Sequence, residues 1–402
     1  MNLVPLISVA DVQLGKMLSP KAKTGSSYYP YLRNTNVQWG RIDTSDLAQM
    51  DFSEAERKKF ELRFGDLLVC EGGEPGRCAV WRNDIPGCYY QKALHRVRPH
   101  AGRADPEFLS LWIQYQAIKG AFENQHGKTT IAHLPQVQLE QFLVPDLDFF
   151  EQRRTAARLK EQLAKADCAQ KAAMAQLDGV ESLLAAIYSE AFAQIVPVTV
   201  PPTLDNPPAG WQWYKVTDLA RLESGHTPSR SRPDWWGGDV SWISLTEIRA
   251  LDGHWVESTQ LRTNAAGIAN SAARILPRGT VCFSRTASVG FVAVMAKPMA
   301  TSQDFANWVC GDGLDPEFLM HALIRARKEL RDLATGATHK TIYMPTLKSF
   351  HICAPDINTQ RRIVRDLKQR LAEASKLRAA LAAQQAELTK LPQRLLAQAF
   401  EN

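Results

Sequence analysis

Gln152-Arg153-Arg154 opens a helical run through Leu159-Lys160 and Leu163-Ala164 to Ala166, and Gln360-Arg361-Arg362 opens another through Leu367-Lys368 and Leu371-Ala372 to Ala374. The two runs stand at a constant offset of 208 residues, from 152 to 360. Upstream, Asp105-Pro106-Glu107-Phe108-Leu109 recurs as Asp315-Pro316-Glu317-Phe318-Leu319, at an offset of 210. The longer Pro145-Asp146-Leu147-Asp148-Phe149-Phe150 stretch, set against Pro355-Asp356-Ile357-Asn358, absorbs the difference of two. A solenoid repeat would span about 20–50 residues, so this is a duplicated domain-plus-helix unit.

Within each run the apolar residues recur every seven positions. Leu159, Ala166, Ala173, Val180 and Ile187 form one seam, with Leu163, Leu177 and Leu184 beside it. In the second copy Leu367, Ala374, Leu381, Leu388 and Leu395 form the seam, with Leu371, Leu377 and Leu391 beside it. Sustained heptads predict a coiled coil. Each helix should be roughly 60 Å long and too weak alone, so each is expected to pack along the other.

Between them, Pro197, Pro201, Pro202, Pro207 and Pro208 exclude a helix, because proline lacks the amide donor and clashes with the preceding turn. An extended, stiff connector is expected. The remaining segments mix short β-like runs, Asp66 to Cys70 and Cys78 to Trp81, with turns. Gly65, Gly76 and Ala79-Val80 answer to Gly279, Gly290 and Ala293-Val294 at an offset of 214. Asp105 and Pro106 suit an N-cap and first helical position, and Phe108, Leu111, Trp112, Tyr115, Ile118 and Phe122 then make one apolar stripe. The expected architecture is two duplicated α/β domains, 1–150 and 211–357, with long helices 151–194 and 358–402 and a connector at 195–210.

Hydrophobic content of 45% with 22% charged residues describes a folded chain. No apolar run approaches the roughly 20 residues of a spanning helix, and Met1 to Ala10 lacks the pattern of a secretory signal. The seven cysteines contain no C-x-x-C pair, so reduced thiols in a cytoplasmic protein are expected. A net charge of +6 is compatible with a polyanionic partner.

Catalytic and metal motifs fail on context. Asp205-Asn206-Pro207-Pro208 resembles the Asn-Pro-Pro-aromatic element of adenine methyltransferases, but Ala209 replaces the aromatic that stacks on a flipped base. Gly127-Lys128-Thr129 lacks the spacing of a phosphate-binding loop and reads as a turn that presents Lys128. The nine histidines show no ligand spacing, and no serine sits in a nucleophile elbow. Neither a catalytic residue nor a metal site is expected.

Polar and basic loops remain, several at matching places in both copies. The first domain offers Lys16, Lys21 and Lys23, then Arg33, Asn34 and Asn36, then Glu71 to Arg77, then Gln91, Lys92, His95 and Arg96. The second offers His226, Thr227, Ser229 and Arg230, then Arg285, then Ser302, Gln303 and Asp304, with His339 and Lys340 later. Arginine reads guanine, asparagine or glutamine reads adenine, glutamate reads cytosine, and lysines hold phosphates. These residues are candidate DNA contacts, and ordinary solvated turns are the alternative for each.

With those residues in view, the chain resembles the specificity subunit of type I restriction-modification systems over essentially its whole length. Gly225-x-Thr227-Pro228, followed by Trp235-Trp236-Gly237 and Trp242, is similar to the start of such a recognition domain. Gly65-Asp66-Leu67-Leu68 with Gly76-Arg77 is similar to its middle. Gly336-x-Thr338 with Ile342 and Pro345 resembles the turn before the long helix, a spacing from which Gly127 to Pro135 departs. Leu391-Pro392, Leu395-Leu396 and Ala399-Phe400 resemble the family's helix end, with Leu183 to Phe192 as the counterpart.

The resemblance implies that the long helices form an antiparallel coiled coil and that each domain meets one half of a split double-stranded DNA target. It also implies docking of two modification subunits, which bring S-adenosylmethionine and methylate adenine, and of restriction-translocase subunits. This chain would carry no cofactor and perform no chemistry. A self-sufficient enzyme and a scaffold without a DNA role are the competing readings.

Overall fold

Leu67–Cys70 is a strand with every residue buried, and its alternation shows why. Successive side chains point to opposite faces of a sheet. Leu67 and Val69 enter the core built on the helix Pro106–Ile118, while Leu68 and Cys70 enter a second core of Phe52, Phe60, Trp81 and Tyr90. Val281–Ser284 repeats the arrangement: Val281 and Phe283 face the core containing Phe318, and Cys282 faces the core of Ile243, Ile248 and Met299. A strand covered on both faces reads as a continuous apolar run.

The computed structural model describes residues 2–18, 25, 27–123, 133–201, 206–336 and 340–401. Two compact units divide the chain: Met1–Met174 with Ala383–Asn402, and Ala175–Ala382. This differs from the division expected in chain order, because both long helices, Phe149–Ala191 and Ile357–Phe400, are shared out.

In the first unit a four-stranded antiparallel sheet runs in the order Ala10–Leu14, Leu94–Pro99, Leu67–Cys70, Cys78–Val80. A second sheet joins Tyr28–Leu32 antiparallel to Ala48–Asp51 and parallel to Tyr89–Tyr90. The second unit has a sheet in the order Ala220–Ser224, Phe305–Cys310, Val281–Ser284, Val292–Met295, Trp255–Val256. There Trp236–Ile243 pairs parallel with Ala300–Thr301. The glycines picked out by the repeat, Gly65, Gly76, Gly279 and Gly290, all have φ between 83° and 97°, where a side chain would be strained.

All five first-seam residues of the first long helix, Leu159, Ala166, Ala173, Val180 and Ile187, are buried. In the second, Leu367 and Ala374 are buried and Leu381, Leu388 and Leu395 half-buried. Leu377, expected beside them, is 46% exposed. A helix covered along one narrow stripe buries one position per heptad and leaves the adjacent one partly open. Pro392 lies inside the second helix, which continues to Phe400.

Within the second unit, Glu181 pairs with Arg378 at 3.1 Å and Glu190 with Arg370 at 2.6 Å, so one residue number rises as the other falls. Within the first, Gln170 Nε2 donates to the Leu388 carbonyl at 2.7 Å. Phe400 closes the first unit against Phe108, Trp112 and Tyr115, at ring separations of 5.6, 5.2 and 5.4 Å. Phe192 closes the second against Phe318 at 5.3 Å.

Part of the expected extended connector is a paired strand. Val198–Thr199 is a strand paired with Ile352 and His351, and the Cys353 amide donates to the Pro197 carbonyl at 2.9 Å. The prolines exclude helix but not an edge strand, whose outward side needs no donor. Residues 202–205 lie outside the described residues.

Candidate nucleic-acid interface

The second unit builds one loop from the whole Gly-x-Thr-Pro and tryptophan pattern. A Cβ on Gly225 would fall 2.2 Å from the Ser302 carbonyl oxygen, so only glycine allows this approach of two backbones. His226 N then donates to the Thr301 carbonyl at 3.0 Å. Trp242 Nε1 donates to the His226 carbonyl and Trp236 Nε1 to the Ser229 carbonyl, fixing the loop from beneath. Thr227 Oγ1 and Gln303 Oε1 are 2.7 Å apart. The Arg230 guanidinium lies over Trp236 and Trp242, 5.5 and 5.8 Å from their ring centres. His226, Ser229, Arg230 and Gln303 are exposed on this frame.

Arg285 donates from Nε and Nη2 to the Gln303 carbonyl at 3.1 and 2.8 Å, and so positions the loop that carries Gln303. Lys340 is exposed, and its carbonyl accepts from Ala287 N. Asp304 is half-buried and accepts from Ser302 Oγ at 2.9 Å. Ser302 itself is 2% exposed, so its candidacy as a base contact is corrected: it is a turn residue.

The first unit repeats the close approach, since a Cβ on Gly15 would fall 2.3 Å from the Gln91 carbonyl oxygen. Lys92 is exposed, and Gln91 and Glu71 are half-buried. Asn34 donates to the Gly72 carbonyl at 3.4 Å. Arg33 pairs with Asp46 at 2.8 Å. Arg77 pairs with Glu74 and donates to the Asn34 carbonyl at 2.8 Å, which holds two candidate loops together.

Four further candidates in this unit are corrected. Lys16 Nζ is spent on Glu56 Oε2 and the Asp51 carbonyl, both at 2.7 Å. Asn36 is buried and bonds the Asp43 and Asp46 carbonyls. His95 is fully buried, 2.8 Å from the Leu134 carbonyl, and burial lowers its pKa. Arg96 is buried over the Tyr90 ring and caps the Lys59 and Glu61 carbonyls. Lys21, Lys23, Lys128 and His339 lie outside the described residues.

Comparison with known proteins bears on the second unit first. The family described as "Type I restriction modification DNA specificity domain" matches residues 208–384. Residues 208–384 are thus similar to such a specificity domain. The type I restriction enzyme MjaIX specificity subunit of Methanocaldococcus jannaschii is 28% identical over 39% of this chain and 37% of its own length. The HindI specificity subunit of Haemophilus influenzae is 29% identical over 33% of this chain and 28% of its own. The matched stretches thus span well under half of these relatives.

A chain solved for a study of complex assembly and conformational transition of the type I R-M system superposes with a TM-score of 0.72, at 19% identity, over 99% of this chain and 97% of that one. The HsdS subunit of Thermoanaerobacter tengcongensis superposes with a TM-score of 0.65, at 20% identity, over 100% and 96%. The chain has their mixed α/β fold with long helices, and it resembles type I specificity subunits.

One part of the second unit escaped the sequence reading. An open cleft of about 390 Å³ beside the Gly225 loop is lined by Arg230, Trp236, Gly237, Gln260, Leu261 and Arg262. Trp235-Trp236-Gly237 drew notice as a family signature, but nothing local marked Arg262 as its neighbour. Among the described residues, no group of three or more His, Cys, Asp or Glu side chains could hold a metal ion.

Proposed function

We propose that this chain is the DNA-recognition subunit of a type I restriction-modification complex, with no chemistry of its own. Two duplicated recognition domains each read one half of a bipartite duplex target, and the long helices pair as an antiparallel coiled coil. Opposite ion-pair numbering in the second unit and the buried seventh positions support that pairing. Two modification subunits, bringing S-adenosylmethionine, and restriction-translocase subunits dock on this chain in the cytoplasm. Among the described residues no helix is long and apolar enough to cross a membrane.

The observation that carries the reading is a shared frame with different loops. Gly15 and Gly225 make the same backbone approach, yet Gln91 and exposed Lys92 stand beside one where exposed His226 and Gln303 stand beside the other. Constant frame with variable polar rim suits two readers of different sequences. Mapping methylated adenines in the host with and without the gene tests it. Loss of one split motif is expected; an unchanged map in a strain whose modification subunits are active would favour a scaffold.

A further inference from the structure

Several arginines of the second unit are committed to carboxylates. Arg221 and Arg274 share Glu223, Arg232 holds Asp234, and Arg327 holds Asp252. Arg230 and Arg262 have no carboxylate partner among the described residues, both are exposed, and both line the same open cleft. Trp236 lines the same cleft. Cation–π contact with Trp236 and Trp242 holds the Arg230 guanidinium in place while consuming none of its five N–H donors. Arg262 comes from the strand Leu261–Thr263, paired across Ser241 to Trp236–Ile243, which is a firm mount. Two guanidiniums free to bond outward across a shallow opening match an anion carried by a large, external ligand.

We propose that this cleft is a phosphodiester clamp: Arg230 and Arg262 hold backbone oxygens of duplex DNA, while His226, Ser229 and Gln303 on the adjoining loops meet base edges. The assignment rests on the DNA-recognition reading and divides its surface into a register-setting part and a sequence-reading part. Trp236 serves as the floor that keeps Arg230 in place.

The test needs no knowledge of the target. Binding of the full chain to a labelled mixed-sequence duplex is measured by anisotropy over a salt series. Arg230→Ala and Arg262→Ala should each weaken binding by roughly 3–10-fold on any sequence and lower the slope of log affinity against log salt by about 1. Arg362→Ala, on the exposed side of the second long helix, should leave the slope unchanged. Because Arg230 also packs on the loop, Arg262→Ala decides the matter if Arg230→Ala disturbs folding by circular dichroism. An unchanged slope in Arg262→Ala, or a loss confined to particular sequences, overturns the clamp and leaves DNA reading intact. Failure of the parent chain to bind duplex at any salt overturns the DNA reading itself, and the clamp with it.

Discussion

Gln152 Oε1 accepts the backbone N–H of Asp105 at 2.9 Å, and Gln360 Oε1 accepts that of Asp315 at the same distance. The Gln152 amide nitrogen donates to the Arg103 and Leu147 carbonyls, and that of Gln360 to the Gly313 and Pro355 carbonyls. Each glutamine therefore ties the N-cap of its domain helix to the chain entering a long helix.

Replacing Gln152 or Gln360 with Ala strands three backbone polar groups in a site that is 3% or 1% exposed. A loss of about 3 kcal/mol is expected, since each unsatisfied buried group costs roughly 1–3 kcal/mol and water will rescue part. Urea unfolding of the two variants checks it, and a loss below about 0.5 kcal/mol would show the staple to be dispensable.

Phe400→Ala and Phe192→Ala should each cost about 3–5 kcal/mol, as buried phenylalanines replaced by a cavity do. Hydrogen exchange should show Pro106–Ile118 opening in the first variant and Pro316–Arg325 in the second, because Phe400 packs on Phe108 and Phe192 on Phe318. Equal exchange of both helices in both variants would contradict the assignment.

His321 gives the fold an acid-sensitive group. Burial pushes its pKa down to about 4, with Nδ1 3.1 Å from Tyr188 Oη. The unfolded histidine titrates near 6.5, so between about 6.5 and about 4 the unfolded state binds the extra proton. Its contribution is therefore full above 6.5 and falls with pH through that window, by at most about 3 kcal/mol. Urea midpoints for the parent should decline there more steeply than for His321→Gln. Parallel declines would refute the assignment.

Cys168 is exposed, whereas burial pushes the Cys70 and Cys353 thiols up to about 11 and those of Cys78, Cys88 and Cys310 to about 12. The thiolate is the reactive form. One thiol per chain should react quickly with an aromatic disulfide reagent near pH 8, and Cys168→Ser should abolish that phase. A persisting fast phase would place a second reactive thiol elsewhere.

Gly225→Ala should remove recognition of one half-site while the other survives, since the added carbon collides with the Thr301-Ser302 backbone. Single-half methylation assays on the assembled complex would report it. Full retention of both halves would separate this loop from recognition.

The long helices were legible because their signal is local: apolar residues at every seventh position, and Asp-Pro at the start of each domain helix. Leu377 shows the limit, since periodicity names a face but not how much of it a neighbour covers. The candidate site was legible by position more than by residue. His226, Ser229, Arg230 and Gln303 do stand on one exposed frame, whereas His95 and Arg96 occupy a strand covered on both sides. Polar type carries no record of what distant segment will lie over it.

Repetition along one chain was enough to mark the two long helices and the glycines their turns require, because each depends on neighbouring residues and backbone sterics. Tertiary packing alone decided that Gln152 serves Asp105, that Phe400 closes the first unit, that the prolines flank a strand, and that Arg230 and Arg262 share a cleft. Those contacts join residues tens to hundreds of positions apart, and their energies depend on burial and geometry that no local pattern encodes.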